Sequence, residues 1–259
     1  MAKFFWDFKY PERLCPFEKM LGIQGFLLWR KVTHDPTNFI VFAEHDNIYT
    51  YDATKYRPKK FLRDENDETG ASLPAPLQGV KGRGGSITYH GPGQLVCYLI
   101  ADFADMGMKG PVHLGSTLDS IIKRVLQTFG IQGYSLSELC ALKNDALQKE
   151  LKNREILRTS KDGNVSPNMS AAGVWVVTQS ALPKKIASRG LKIHKYRYGN
   201  NEAKYLTTFG YIYPCGLDIT ITSIKELTGL EPKLPEVAKI TAEVMIRVFE
   251  EIKNQNSEK

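Results

Sequence analysis

Twelve residues constrain this chain more than any others. Arg83-Gly84-Gly85-Ser86-Ile87-Thr88-Tyr89-His90-Gly91-Pro92-Gly93-Gln94 runs directly into the apolar Leu95-Val96-Cys97-Tyr98-Leu99-Ile100. Glycine takes positive φ and lets backbone approach a ligand closely, and a Gly-Pro-Gly between apolar runs punctuates a turn. The pattern predicts two strands joined by a bend, with Arg83, Tyr89 and His90 projecting near it. Two readings fit: a ligand-binding loop, or a glycine-rich hairpin that only turns the chain.

Two later stretches narrow the choice. Phe209 to Leu217 sets Cys215 between Pro214 and Gly216 at the end of an apolar run. There proline fixes the approach and glycine leaves one side of the thiol open. Lys184-Lys185-Ile186-Ala187-Ser188-Arg189-Gly190 opens another strand-like run with a lysine pair. In order, the chain carries RGG-x-x-TYHGPGQ at Arg83 to Gln94, K-I-x-x-x-G at Lys185, Ile186 and Gly190, and PCG at Pro214, Cys215 and Gly216 followed by Thr222-Ser223. With these motifs it resembles the octanoyltransferases of lipoate biosynthesis, from about Asn38 to the C-terminal helix. Glu44-His45 and Tyr49-Thr50 match a further family segment. A His-Gly of the family falls at Tyr198-Gly199, where tyrosine stands in place of histidine.

The resemblance implies an α/β (α+β) fold, a single domain with a mixed sheet flanked by helices, like the biotin/lipoate protein ligases. It implies transfer of an octanoyl or lipoyl group from acyl carrier protein to a lysine of the lipoyl domains of 2-oxoacid dehydrogenases and glycine cleavage H protein. Cys215 would carry the acyl group as a thioester. Lys185 would stabilise the thiolate and shuttle protons. Arg83, Gly84, Gly85, Ser86, Ile87, Thr88, Tyr89 and His90, with Ser188, Arg189 and Gly190, would form the substrate site. No cofactor or metal is implied, since a thioester is already an activated acyl donor. A thiol of ordinary pKa near 8.5 becomes a better nucleophile beside a cation. A rival assignment makes His90 the base of a Cys-His pair. The rival activities are an ATP-dependent lipoate or biotin ligase of the same fold, which forms an acyl-adenylate, and a non-catalytic binding module.

Composition bounds the rest. A chain of 259 residues with 42% hydrophobic content suits one large domain, 1–259. No apolar run nears the roughly 20 residues needed to span a bilayer, and Met1 to Met20 lacks a secretory signal. The expected setting is intracellular: bacterial cytoplasm or mitochondrion, as a monomer, away from membranes. Four dispersed cysteines without a Cys-x-x-Cys argue against structural zinc. Cys15, Cys97 and Cys140 are expected to be buried reduced thiols. The net charge of +7 suits an acidic protein partner, and no nucleic-acid-binding motif accompanies it.

Residues 1–35 read as an extension of open structure, with Phe26-Leu27-Leu28 either helix or strand. Asn38 to Ala43 and Ile48 to Tyr51 read as strands around a turn. Arg57 to Gly70 alternates charge and reads as an exposed loop. Val112 to Phe129 has one apolar face and stops at Gly130. Residues 132–170 read as an insertion peripheral to the chemistry, with helices at Ser135 and over Lys143 to Arg158. Ala172 to Val177 and Lys185 to Ile193 read as strands around a turn at Ser180 to Pro183, with further strands at Ala203 to Phe209 and before Cys215. His34, His45 and His113 read as solvated or structural. Ser223 to Glu226 is a capping-box pattern for a short helix ending at Gly229. The final helix starts near Pro235, with residues 253–259 expected to fray.

Overall fold

A computed structural model describes residues 3–9, 13–53, 61–64, 66–67, 69–80, 87–180, 182–188, 192–194 and 217–257, with the side chains of 192–194 and 257 excepted. The elements, in order, are β1 (Phe4–Phe8), α1 (Phe17–Thr33), β2 (Asn38–Ala43), β3 (Ile48–Asp52), β4 (Leu77–Val80), β5 (Ile87–His90), β6 (Gln94–Ile100), α2 (Pro111–Gln127), β7 (Tyr134–Ser135), α3 (Leu136–Ala141), α4 (Asp145–Asn153), β8 (Leu157–Thr159) and β9 (Val165–Pro167). A 3-10 turn (Met169–Ala171) leads to β10 (Gly173–Val177), β11 (Pro183–Ser188), β12 (Lys192–His194), β13 (Thr220–Ile221), α5 (Ile224–Thr228) and α6 (Leu234–Ser257). No helix among the described residues is long and apolar enough to cross a membrane.

The sheets are mixed, as expected. One runs β1-β2-β6-β12, a second β13-β11-β10-β7 and a third β4-β3-β5; β8 and β9 form a hairpin. Strand β2 is buried on both faces because its apolar residues serve two cores. Ile40 and Phe42 join a main core with Leu95, Ile121, Val125, Val174, Ile186 and Phe249. Phe39, Val41 and Ala43 point the other way, toward Cys15 and the inner face of α1 at Met20. Alternation along a strand makes this division. The amphipathic face read over Val112 to Phe129 is α2, which buries Ile121, Ile122, Val125 and Leu126; Gly130 follows at φ +71°.

The N-terminal segment, left open by the sequence, is built into the fold, and four expectations need correction. Phe4 to Phe8 pairs parallel with Asn38 to Phe42, and Phe26-Leu27-Leu28 is helical. The charged stretch before the glycine-rich motif buries Phe61, Leu62 and Asp67. Lys143 to Arg158 is helical only over α4, which Asn144 caps by accepting from the Leu147 N–H; β8 follows. The strand expected over Lys185 to Ile193 is two strands, since β11 pairs β10 while β12 pairs β6 in another sheet. The last helix runs to Ser257, past the expected fraying point at Lys253. The strands read at Ala203 to Phe209 and before Cys215 lie outside the described residues.

Candidate active site

The glycine-rich motif forms the expected bend, but its ends enter different sheets. Strand β5 pairs β3, with Tyr49 opposite Tyr89 and Thr50 opposite Thr88. Strand β6 pairs β2. Between them the Gln94 N–H bonds the Gly91 carbonyl at 3.1 Å. Gly93 adopts φ +81°, and its N–H donates to Glu44 Oε1 at 2.7 Å. That bond gives Glu44, one residue before His45, a physical role: it fixes the turn. The Tyr89 hydroxyl donates to Asn47 Oδ1, and a Cβ on Gly91 would overlap that hydroxyl.

The side chains of Ile87, Thr88, Tyr89 and His90 are all buried. His90 Nδ1 lies 2.8 Å from Gln94 Oε1, and the Gln94 amide nitrogen donates to the Tyr89 carbonyl at 3.2 Å. The amide is thereby oriented, so Nδ1–H is the donor. The ring stacks on Phe17 at 5.7 Å between centroids and meets His45 edge-on at 5.8 Å. His45 is fully buried, bonded to the Cys15 carbonyl and the Tyr98 hydroxyl, each at 2.7 Å. The two histidines thus help to join the N-terminal segment to the motif.

The lysine pair divides. Lys184 forms an ion pair with Glu226, whose other oxygen accepts from the Thr222 hydroxyl at 3.0 Å. Lys185 is 1% exposed. Its direction comes from a register shift. Val174 pairs with Ala187, but Trp175 pairs with Lys185, leaving Ile186 as an extra residue on β11. Such a bulge re-aims side chains. Ile186 and Ala187 both enter the main core, and Lys185 turns to the face of Trp175. Gly173 makes room: it sits at φ +140°, and a Cβ there would meet Lys185 Cε at 2.8 Å.

The lysine and the motif adjoin through β13. Ile221 pairs with Lys185, and the Thr222 N–H donates to the Lys185 carbonyl at 3.0 Å. Ile221 also packs against the cluster of Tyr49, Ile87 and Tyr89. Leu217 and Ile219, just after Cys215 in the chain, share the cluster of Trp175. Arg63 and Arg154 hold this stretch by a 2.6 Å bond to Asp218 Oδ1 and a 3.3 Å bond to the Asp218 carbonyl. Of the expected site residues, Ile87 to His90, Lys185 and Ser188 are described. Arg83, Gly84, Gly85, Ser86, Arg189, Gly190 and Cys215 lie outside the described residues.

Residues 80–246 match the family described as the lipoyl protein ligase A/B catalytic domain, well over half of the chain. The chain belongs to this family. Among its relatives in the lipoyl protein ligase A/B family is the octanoyltransferase of Syntrophobacter fumaroxidans, 32% identical over 242 residues that cover 92% of this chain and 88% of the relative. The octanoyltransferase of Bacteroides fragilis (strain YCH46) is 29% identical over 207 residues, 77% and 76% of the two chains. The solved bi-partite lipoate protein ligase of Thermoplasma acidophilum aligns over 97% of this chain and 83% of its own, at 10% identity and a TM-score of 0.48. As a member of this catalytic family the chain is an acyltransferase.

Three site features escaped the sequence reading: the bulge, Trp175 and Gly173. The fragment Gly173-Val174-Trp175-Val176-Val177 reads as a buried strand without revealing what its tryptophan faces. The one available signal was the lysine pair Lys184-Lys185 opening a strand-like run. Residues 132–170 pack closely on the strand that carries Trp175. Leu136, Leu139, Leu147, Leu151 and Ile156 from that segment form the cluster around Trp175.

Proposed function

We propose that this acyltransferase moves an octanoyl or lipoyl group from acyl carrier protein onto a lysine of a lipoyl domain, through a thioester on Cys215. The single observation that carries the reading is the burial of Lys185, turned inward by a bulge, on a strand paired with the one that follows Cys215 in the chain. The Cys215 thiolate attacks the carbonyl carbon of the donor thioester. The carrier's thiolate leaves and takes a proton from the Lys185 ammonium. The acceptor lysine amine then attacks the Cys215 thioester and yields its proton to neutral Lys185, while Cys215 departs as thiolate. The cycle closes with the starting ion pair. Covalent catalysis splits one transfer into two easier steps.

Backbone N–H groups of the glycine-rich motif and of Ser188-Arg189-Gly190 serve the developing oxyanion. The acceptors fitting this chemistry are the lipoyl domains of 2-oxoacid dehydrogenases and glycine cleavage H protein. A family that covers both A and B types admits a second reading, ATP-dependent ligation through an acyl-adenylate, in which Cys215 has no task. Incubation with octanoyl-acyl carrier protein without ATP, followed by intact mass spectrometry, separates them. The expected result is one added octanoyl group, absent from Cys215→Ser and lost on addition of lipoyl domain. Acceptor modification that requires ATP and survives Cys215→Ser would overturn the reading.

A further inference from the structure

Lys185 must, in the cycle just given, be an ammonium in one half-reaction and a neutral amine in the other. Among the described residues, an indole lies beside it. Lys185 Nζ lies 5.5 Å from the centre of the Trp175 ring, inside the roughly 6 Å range of cation–π attraction. Trp175 is fully buried, and its position is fixed at both ends. The indole N–H donates to the Ala171 carbonyl at 3.0 Å, and the ring is embedded in the cluster built by α3, α4 and β8. The bulge sets lysine opposite tryptophan, and Gly173 leaves the lysine stem its space.

We propose that Trp175 is a positioning residue for Lys185, its indole face holding the ammonium against the site while leaving the amine able to release and regain its proton. A ring face attracts the cation through its quadrupole but takes no proton and forms no ion pair, so both protonation states fit the same cavity. Segment 132–170 is then the support that keeps the ring in place. Other charged groups are carried by the elements around Lys185. Lys184 is paired with Glu226 on the opposite face of β11, and α4 brings Asp145, Lys149, Glu150 and Lys152, with Glu150 bonded to Arg154. Strand β12 carries Lys192 and His194, Tyr134 and Cys140 pack against the Trp175 cluster, and Asp218 with Arg63 and Arg154 lies at the stretch leading to β13.

This inference rests on the proposed function for its purpose, and its test reads the lysine directly. Mono-, di- and trifluorotryptophan are introduced at position 175 alone by nonsense suppression. Fluorine drains the ring quadrupole stepwise at nearly constant shape, so a purely packing role predicts no trend. The titration of Lys185 is followed by NMR of its labelled ε-carbon, assigned with Lys185→Arg, alongside the pH profile of octanoyl transfer. The expected result is a midpoint that falls progressively, by about half a unit to one unit in total, with the alkaline limb of the rate profile falling in step. Trp175→Phe should lie between the wild type and Trp175→Leu. A midpoint and a limb that stay put across the fluorinated series overturn the inference. If the midpoint falls but no octanoyl group reaches Cys215, the contact stands and the proposed transfer fails. If the adduct forms and the midpoint is unmoved, the transfer stands and Trp175 has no positioning role.

Discussion

Lys185 occupies a place where burial works against its charge. An ammonium removed from water costs free energy that contacts only partly return, and at 1% exposure little solvent is left to it. Replacing a buried ionic group by an apolar side chain of similar volume is often neutral or stabilising. Functional sites are where such local costs are retained. Lys185→Met keeps the length of the stem and its packing on Trp175 while removing the charge. Thermal unfolding should therefore show a midpoint equal to the wild type or higher, by about 2–4 °C for each 1 kcal/mol gained in a chain of this size. Octanoyl transfer should fall by roughly 100-fold or more, the usual effect of losing a general acid–base group. A midpoint lowered by more than about 4 °C at unchanged activity would make Lys185 a structural lysine.

At the scale of elements, the segment before the glycine-rich motif shows why sequence pattern misleads. Its alternating charges read as solvated loop, yet Asp67 is buried and organises the turn. Its two carboxylate oxygens accept from the Ser72 hydroxyl and from the backbone N–H groups of Thr69, Gly70, Ala71 and Ser72. The Ser72 hydroxyl, then those N–H groups, outweigh desolvation and hold the carboxyl well below the usual carboxylate range. A depressed folded pKa stabilises the protein fully above the unfolded value near 3.9, and that contribution is lost as pH falls through the folded value. Asp67→Asn should thus unfold at lower urea than the wild type at pH 7, and the gap should narrow below about pH 4. A gap that stays constant down to pH 2.5 would show that the carboxylate's charge is irrelevant. Apolar periodicity revealed α2, and the Ser223 to Glu226 pattern revealed the capping of α5, because those signals are local. It could not reveal β1, whose partner β2 lies some thirty residues away, nor the break between β11 and β12, which depends on two different sheets. The identities of Lys185 and the glycine-rich motif were legible in the sequence. The bulge that turns Lys185 onto Trp175 was not, because it exists only in the pairing of β10 with β11.

Across the described part of the molecule, three thiols share buried or half-buried surroundings. Cys15 lies under α1 with no exposure, and burial pushes its thiol up, with Asp46 adding to the shift. Cys97 faces the main core from β6, where burial raises it still further. Cys140, half-buried on α3 behind Trp175, is pushed up to about 11 by burial. Alkylating reagents attack the thiolate, so at pH 7.5 each of these three should react slowly in the folded protein. Proposed as a thiolate beside Lys185, Cys215 should behave oppositely. Brief treatment with iodoacetamide at pH 7.5 should therefore add one carbamidomethyl group per chain, located at Cys215 by peptide mapping. Cys215→Ser should remain unlabelled over the same time, and urea should expose the other three together. The labelling rate at Cys215 should drop at least tenfold in Lys185→Met, because removing the cation returns the thiol toward its ordinary pKa. Rapid labelling at Cys140 or Cys15 in the folded chain would contradict the burial assigned to those positions. Labelling of Cys215 indifferent to the loss of Lys185 would separate the two residues on which the proposed chemistry depends.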